Sequence, residues 1–514
     1  MRVKLNEVVV RIHEDREKRL RAVRSAFEDI LAWVIGDACG LPLHRFDVDL
    51  YRRVKGLGLA LVGLWLAYRV PDSFPVSFRL GSGWYLLDRL RAEPVRTRFG
   101  ESWWLRPSYN LVDGEGVRTV APSDGEIGLA AGRMSLTVHL LAAQMAARMS
   151  FEEAKEVTEA LGDYAPATKS TQGIVDILGP RATQYMLNLP APDDDGEIVG
   201  IEFDGKGIPH MTKTEHVRRC KPHKKRARGV DRSARKMHRR KLRKGRERKK
   251  VGDKSKNARV ATIGVVYTLH RRPDGSVEGP INRRVFAMFS NPAGLAKAVL
   301  ADAKKRGYGT KETLFLADGA PHLWKIWRKY FPKATPCLDW YHASEYLWKA
   351  GAAVHGPKSP ALRPWVEARM DELMRGDVDA VITALCAARD AWKADPAKGK
   401  KGRGKKIKRA LRYVRNHREM MQHYGDLDGR DLPCGTGLIE GTIKHIGTRM
   451  DGSMRWSTER SESILALRCV LLGNEWDGFE EHVRAVHDSG TDAVIPRVTP
   501  RGRLTPHKSA KKAA

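Results

Sequence analysis

The spacing of apolar and polar positions changes character three times along the chain. Over residues 1–70 it is helical. Glu14–Trp33 mixes charges with apolar residues three and four apart, and Leu57–Ala67 is almost wholly apolar. That run has 11 residues and two glycines. A bilayer span needs ~20, so a buried helix is predicted and no membrane partner. Residues 75–125 break into short aromatic-rich runs, Ser77–Leu80, Trp84–Leu87 and Ser102–Leu105, separated by Gly and Pro. They predict strands of a small sheet. Helical spacing resumes at Ser135–Met149. Ser150 and Glu153 stand as a capping box does and open a helix to about Leu161, which Gly162 can end. A further helix follows Pro166, over Ser170–Leu178. Two short helices with a tight joint fit either a helix-turn-helix or an ordinary helical bundle.

From Glu197 the pattern becomes α/β. Strands are predicted at 198–204, 261–269, 284–289, 313–318 and 335–340, with helices at Leu295–Lys305 and His322–Tyr330. Three strands followed by helix, strand, helix and strand predict a mixed sheet covered by helices. Residues 343–425 carry helical spacing only, with amphipathic stretches at Leu362–Arg375 and Ala380–Ala394, a Gly- and Lys-rich loop at Lys398–Lys408, and a helix at Ile407–Met421. Helices return at Leu438–Met450 and Glu459–Leu472. The expected class is a multidomain α+β chain. It divides into 1–125 (helical with a small β element), 126–196 (helical), a sheet domain in two parts, 197–342 and 435–480, an all-α insertion at 343–434, and a basic disordered tail at 481–514.

Charge sharpens this picture. The chain has 93 Lys and Arg against 61 Asp and Glu, a formal charge of +32. Such an excess favours polyanions, because each cation laid on a phosphate releases counterions. Residues 213–259 hold 23 Lys and Arg against four acids, net +19, including Lys224-Lys225-Arg226 and Arg239-Arg240-Lys241. Like charges at that density repel, so this insertion between the first two strands is expected to be loose without a partner. The six cysteines show no Cys-x-x-Cys pair and no disulfide framework, and the charged start from Arg2 lacks the shape of a signal peptide. A bacterial cytoplasmic, nucleoid-associated location is expected.

Three acids stand out against this background. Asp204 ends the apolar run from Ile198, and Asp318 ends the run from Leu314; both precede Gly. On neighbouring parallel strands the two carboxylates would reach one sheet edge. Glu440 opens a helical pattern beside the apolar stripe Ile439, Ile443, Ile446 and Met450. Taken singly, an Asp at a strand end is usually a turn former or cap, and a Glu in a first helical turn is favoured by the helix dipole. Together, in a chain this basic, they point to metal-dependent phosphodiester chemistry. Two or three carboxylates suffice for Mg²⁺ or Mn²⁺, and two such ions can neutralise both the attacking and the leaving oxygen.

The motifs Phe203-Asp204-Gly205, Leu316-Ala317-Asp318-Gly319-Ala320, Asp339-Trp340-Tyr341-His342 and Gly435-Thr436-Gly437-Leu438-Ile439-Glu440 occur in that order. They continue into Arg449-Met450, Ser453-Met454-Arg455-Trp456-Ser457 and Leu465-Ala466-Leu467-Arg468. Over roughly residues 125–480 the chain resembles the DDE transposases of bacterial insertion sequences, closest to the ISKra-type family of the Mutator-like group. The resemblance implies a ribonuclease H-like catalytic domain interrupted by an all-helical insertion before the glutamate. It implies Asp204, Asp318 and Glu440 as catalytic metal ligands, use of two ions, and transposon-end and target DNA as partners. It also implies a dimer or larger assembly on DNA. Asp339 and His342 match the Asp/Cys-x-x-His motif, where the histidine either supports the active site or is a packed strand-end side chain. Arg455-Trp456 matches a family Arg-Trp pair, with Trp456 either stacked on an unpaired base or part of the core. Paired cysteines that some relatives carry in the N-terminal region are missing from Trp103–Gly116. A nuclease that cuts without joining, or a noncatalytic descendant that only binds nucleic acid, remain alternatives at this level.

Deleting residues 213–259 is expected to flatten the dependence of DNA affinity on salt for any sequence, at ~0.9 in log–log slope per phosphate left without its cation on duplex DNA. Preference for a cognate end is expected to survive. Titrations over a range of salt check this, and loss of the preference alone would make the segment a specific reader.

Overall fold

A computed structural model describes residues 5–70, 72, 74–211, 258–394, 402–451 and 455–489. The chain folds as two compact units, Met1–Ala182 with Trp476–Ala514, and Thr183–Glu475. The residues expected to form 1–125 and a separate 126–196 are thus largely one unit.

In the first unit, α1 (Leu5–Ile35) packs on α2 (Leu43–Tyr68). Strands β1 (Ser77–Leu80), β2 (Gly83–Thr97), β3 (Gly100–Asp113) and β4 (Thr119–Val120) form an antiparallel sheet in that order. The β2–β3 pair is far longer than the aromatic runs suggested. Pro94 and Pro107 read as breaks in the sequence, yet both are paired, Pro94 opposite Trp103 and Pro107 opposite Leu90. β1 pairs only with Gly83–Leu86, so beyond it β2 and β3 are a two-stranded ribbon. In such a ribbon a proline at an outward position has no ladder bond to lose. Ile12, Leu66, Val70, Phe74, Val95, Trp104 and Leu129 bury one shared core between the helices and this sheet.

Helices α3 (Pro122–Glu126), α4 (Leu136–Arg148), α5 (Phe151–Leu161) and α6 (Thr168–Asn188) follow. The capping box at α5 forms as its spacing requires: Glu153 N–H donates to Ser150 Oγ at 3.2 Å, and Ser150 N–H donates to Glu153 Oε2 at 2.9 Å. Helix α6 outruns its predicted end by ten residues, passing through Pro180. A proline inside a helix removes one backbone bond. Burial of Ala182 and Met186 beyond it keeps the helix going.

The second unit is built on a five-stranded mixed sheet. β5 (Ile198–Pro209), β6 (Ala258–Arg271) and β7 (Val277–Phe289) are an antiparallel meander; α7 (Pro292–Lys305), β8 (Glu312–Ala317), α8 (Pro321–Tyr330) and β9 (Thr335–Leu338) follow. The strand order is β7-β6-β5-β8-β9, with β8 and β9 parallel to β5. β5 lies between two neighbours, and Ile198–Phe203 is buried throughout, which explains its unbroken apolar run. Phe203, Phe315 and Phe331 pack against one another with ring centroids 5.5–5.8 Å apart. Near the start of β5, the buried Arg306 donates to Asp195 at 2.8 and 2.9 Å.

The rest of this unit is helical: α9 (Trp340–Val354), α10 (Leu362–Met374), α11 (Val378–Ala394), α12 (Gly402–Asn416), α13 (Tyr424–Gly429), α14 (Gly437–Met450) and α15 (Thr458–Leu472). The last described helix, α16 (Trp476–Ser489), belongs to the first unit. The loop expected at Lys398–Lys408 is helical from Gly402 onward, because Gly404 and Ile407 begin the buried face of α12. The protein is thus α+β, with one antiparallel and one mixed sheet. Among the described residues no helix is long and apolar enough to cross a membrane. Nearly all of the basic insertion, with Lys224, Lys225, Arg226, Arg239, Arg240 and Lys241, and all of the tail after Ser489 lie outside the described residues.

Candidate active site

The register of the mixed sheet brings the two aspartates together. Phe203 on β5 lies opposite Ala317 on β8, so Asp204 and Asp318 follow paired residues on adjacent parallel strands. Their settings differ from the sequence expectation in one respect. Asp318 does follow the end of its strand, but β5 continues through Asp204 to Pro209, paired with β6 the whole way. Asp204 is therefore held by a strand rather than by a turn. Asp318 sits in the turn into α8, where its Oδ1 accepts from Ala320 N–H at 2.9 Å and its carbonyl accepts from the Trp324 indole at 2.9 Å.

Glu440 lies in the first turn of α14. The N-cap residue of that helix, Thr436, makes no side-chain cap bond. The cap comes instead from the sheet. Glu202, 1% exposed on β5, accepts from Ile439 N–H through Oε2 at 2.9 Å and from the Tyr267 hydroxyl through Oε1 at 2.9 Å. The first N–H groups of a helix need acceptors, and a carboxylate also suits the positive end of the helix dipole. Gly200 makes room for this: a Cβ there would stand 2.2 Å from the Tyr267 ring. Burial pushes the Glu202 carboxyl up to about 7, against the pull of its two hydrogen bonds.

Asp339 performs the same service one step earlier. It is the N-cap of α9, 1% exposed, and accepts from Thr436 N–H at 2.8 Å, His342 N–H at 2.8 Å and His342 Nδ1 at 2.6 Å. Burial works against its ionisation, but these bonds hold its carboxyl below the usual range. The hydrogen bond to Asp339 in turn raises His342 to about 9, with Asp318 and Glu440 adding to the effect. His342 is thus an imidazolium at neutral pH.

The carboxylates feel one another. Asp204 is pushed up to about 6, first by burial and then by Asp318 and Glu440; the Gly205 N–H and His342 oppose this. Ligand atoms of Asp339, His342 and Glu440 also lie within 4.8 Å of one another. Both Asp339 oxygens already accept hydrogen bonds and His342 is protonated, so this second grouping makes a poor cation site. Asp204, Asp318 and Glu440 offer the better oxygen donors.

Two residues of the helical insertion that the sequence did not mark also reach this site. The Tyr413 ring covers Gly319, where a Cβ would meet it at 2.3 Å, and stacks on Tyr346 with centroids 3.8 Å apart. One turn on, His417 shares a tilted ring contact with Tyr413 at 4.5 Å, and its Nδ1 bonds the Tyr413 carbonyl at 2.8 Å. Burial raises the Tyr413 phenol. Its hydroxyl is buried and has no hydrogen-bond partner among the described residues. Only the Gly after Asp318 hinted at a close neighbour. Glu202 did carry a signal: an acid between Ile201 and Phe203 in a buried strand requires a partner.

Arg455 and Trp456 separate. Arg455 is exposed. Trp456 is 4% exposed, its indole donates to the Met450 carbonyl at 3.1 Å, and the Arg449 guanidinium lies 4.7 Å from its ring centroid. Its backbone exchanges hydrogen bonds with Pro209 and Met211, at the far end of β5. The expectation of a base-stacking Trp456 gives way to a core residue that fastens the root of the basic insertion.

Compared with protein-family models and with curated proteins, the chain matches none.

Replacing Glu202 by Ala is expected to leave the Ile439 N–H and Tyr267 hydroxyl buried and unpaired, at about 1–3 kcal/mol each. Glu202→Gln keeps one acceptor and is expected to lose less. Denaturant unfolding measures both, and wild-type stability in the alanine variant would refute the clasp. Tyr413→Phe keeps the stack and the cover while deleting an unpartnered hydroxyl, so its melting temperature is expected to match or exceed wild type. A clear drop would mean that the hydroxyl has a structural partner.

Proposed function

We propose that the protein is a metal-dependent DNA transposase of the DDE type, with Asp204, Asp318 and Glu440 as the catalytic carboxylates. The single observation that carries this is the convergence of three acids, 114 and 122 residues apart, from two parallel strands and a helix. The meander β7-β6-β5, extended on the other side of β5 by parallel β8 and β9, supports a ribonuclease H-like catalytic domain. The helices between β9 and α14 support the reading of an insertion before the glutamate. The ISKra-type likeness rests on the motifs alone.

The donor set suits Mg²⁺ or Mn²⁺. It is all oxygen, and the repulsion that lifts Asp204 to about 6 is what a cation would relieve. Bound there, a divalent ion supplies charge neutralisation on the phosphodiester and lowers the pKa of an attacking water or 3′-hydroxyl. The chain's own residues set the stage. Glu202 and Asp339 fix the start of α14, and with it Glu440. His342, with Nδ1–H given to Asp339, presents a cationic imidazolium to an incoming phosphate. The basic insertion supplies sequence-independent grip, and transfer of the freed 3′-hydroxyl to target DNA completes the reaction.

Inverted repeats bracketing the reading frame are expected. On DNA carrying them, cleavage should need Mg²⁺ or Mn²⁺ and stop with a chelator. Asp204→Asn, Asp318→Asn and Glu440→Gln should each reduce it below detection while DNA binding persists, since each removes negative charge. A strand-transfer assay separates a transposase from a nuclease that only cuts. Near-normal cleavage by any one variant would remove that residue from the site.

A further inference from the structure

Helix α12 of the insertion carries Arg403, Lys405, Lys406, Lys408, Arg409, Arg412 and Arg415 and no acid. All seven are exposed, and among the described residues none lies within 4.0 Å of a carboxylate oxygen. Folding does not call for this. The helix packs through Gly404, Ile407, Ala410, Leu411 and Val414, on the opposite side. Lys405, Arg409 and Arg412 stand four and three residues apart, and like charges at those spacings repel. Only an anion laid along the stripe offsets that repulsion. Lys408, 6.0 Å from the Trp392 ring centroid, and Arg415, against Cys386, are in contact with α11 instead.

The stripe is joined to the carboxylates by a short chain of contacts. The Arg409 guanidinium stands 5.7 Å from the Tyr346 ring centroid, Tyr346 stacks on Tyr413, and Tyr413 covers Gly319 beside Asp318. From Lys405 to Arg412 the stripe is about 10 Å long at ~1.5 Å rise per residue. A row of regularly spaced cations without acids, leading up to a carboxylate cluster, has the chemistry for a row of phosphates.

We propose that Lys405, Arg409 and Arg412 form a binding site for the phosphodiester backbone of DNA, which holds the strand to be cut as it approaches Asp204, Asp318 and Glu440. This rests on the nucleic-acid reading above and adds a second contact surface, separate from residues 213–259.

The test compares two triple variants of the full chain. One neutralises the stripe (Lys405→Gln, Arg409→Gln, Arg412→Gln). The other removes equal charge from exposed positions on α7 and α8 (Lys297→Gln, Lys304→Gln, Lys325→Gln). Fluorescence anisotropy with labelled duplex and single-stranded DNA across salt gives the slope of log affinity against log salt. The stripe variant is expected to lose about 2–3 from that slope on duplex, at ~0.9 per phosphate, and about 2 on single strands, at ~0.7. Its melting temperature should stay at or above wild type, since repulsion is relieved. An unchanged slope, or an equal loss in the comparison variant, would overturn the site. A wild type that binds DNA but never cuts it would defeat the transposase reading and leave this site standing on its slope. A wild type with no affinity for DNA would defeat both.

Discussion

A single buried carboxylate fixes the relation between the mixed sheet and the helix that faces it. Glu202 is two residues from Asp204 on β5 and accepts from the residue before Glu440 on α14. The two acids are 236 positions apart in the chain, and this bond places their backbones side by side. Without it α14 would begin with an unpaired N–H, since Thr436 does not cap it. Asp339 repeats the device, holding Thr436 with one oxygen and His342 with the other. Two acids with filled hydrogen-bond capacity therefore hold the acids whose oxygens are open to a cation. This division explains why so many carboxylates gather in a chain of strong positive charge.

The helical insertion is more than a spacer between β9 and α14. Tyr413 and His417 meet the Asp318–Gly319 turn on one edge of α12, while the exposed face of the same helix is wholly basic. Stacking of Tyr413 on Tyr346 ties α12 to α9, whose first turn carries His342. The cationic histidine, the covered glycine and the basic helix thus form one packed group beside the carboxylates.

Much of this is legible in the sequence, and the departures have physical causes. The unbroken apolar runs before Asp204 and Asp318 mark buried strands because both faces of those strands are covered. The capping box at Ser150 is legible because it is a local device, complete within four residues. The ends of β5, β2 and α6 are not, because pairing and burial supplied by distant segments extend them past Gly and Pro. Tyr413 carries no signal, since its partner Gly319 lies far away in the chain. Trp456 looks like an exposed reader from its motif, while its burial depends on Arg449, Met450 and the end of β5. Glu202 is visible as an acid in an apolar strand, yet stands beside the more conspicuous Asp204.

The continuation of β5 beyond Asp204 has a consequence for how the gene can change. The strand pairs with β6 as far as Pro209 opposite Ala258, so the long basic insertion grows from the tip of a closed ladder. Once such a stem is zipped, the entropy cost of the loop above it rises only with the logarithm of its length. Residues can be gained or lost there at little expense to the fold. The same stem carries Asp204 five residues below its tip, with Trp456 as the buckle at its end. The polycation is therefore the most freely remodelled part of the molecule and is mechanically continuous with one of its most constrained residues.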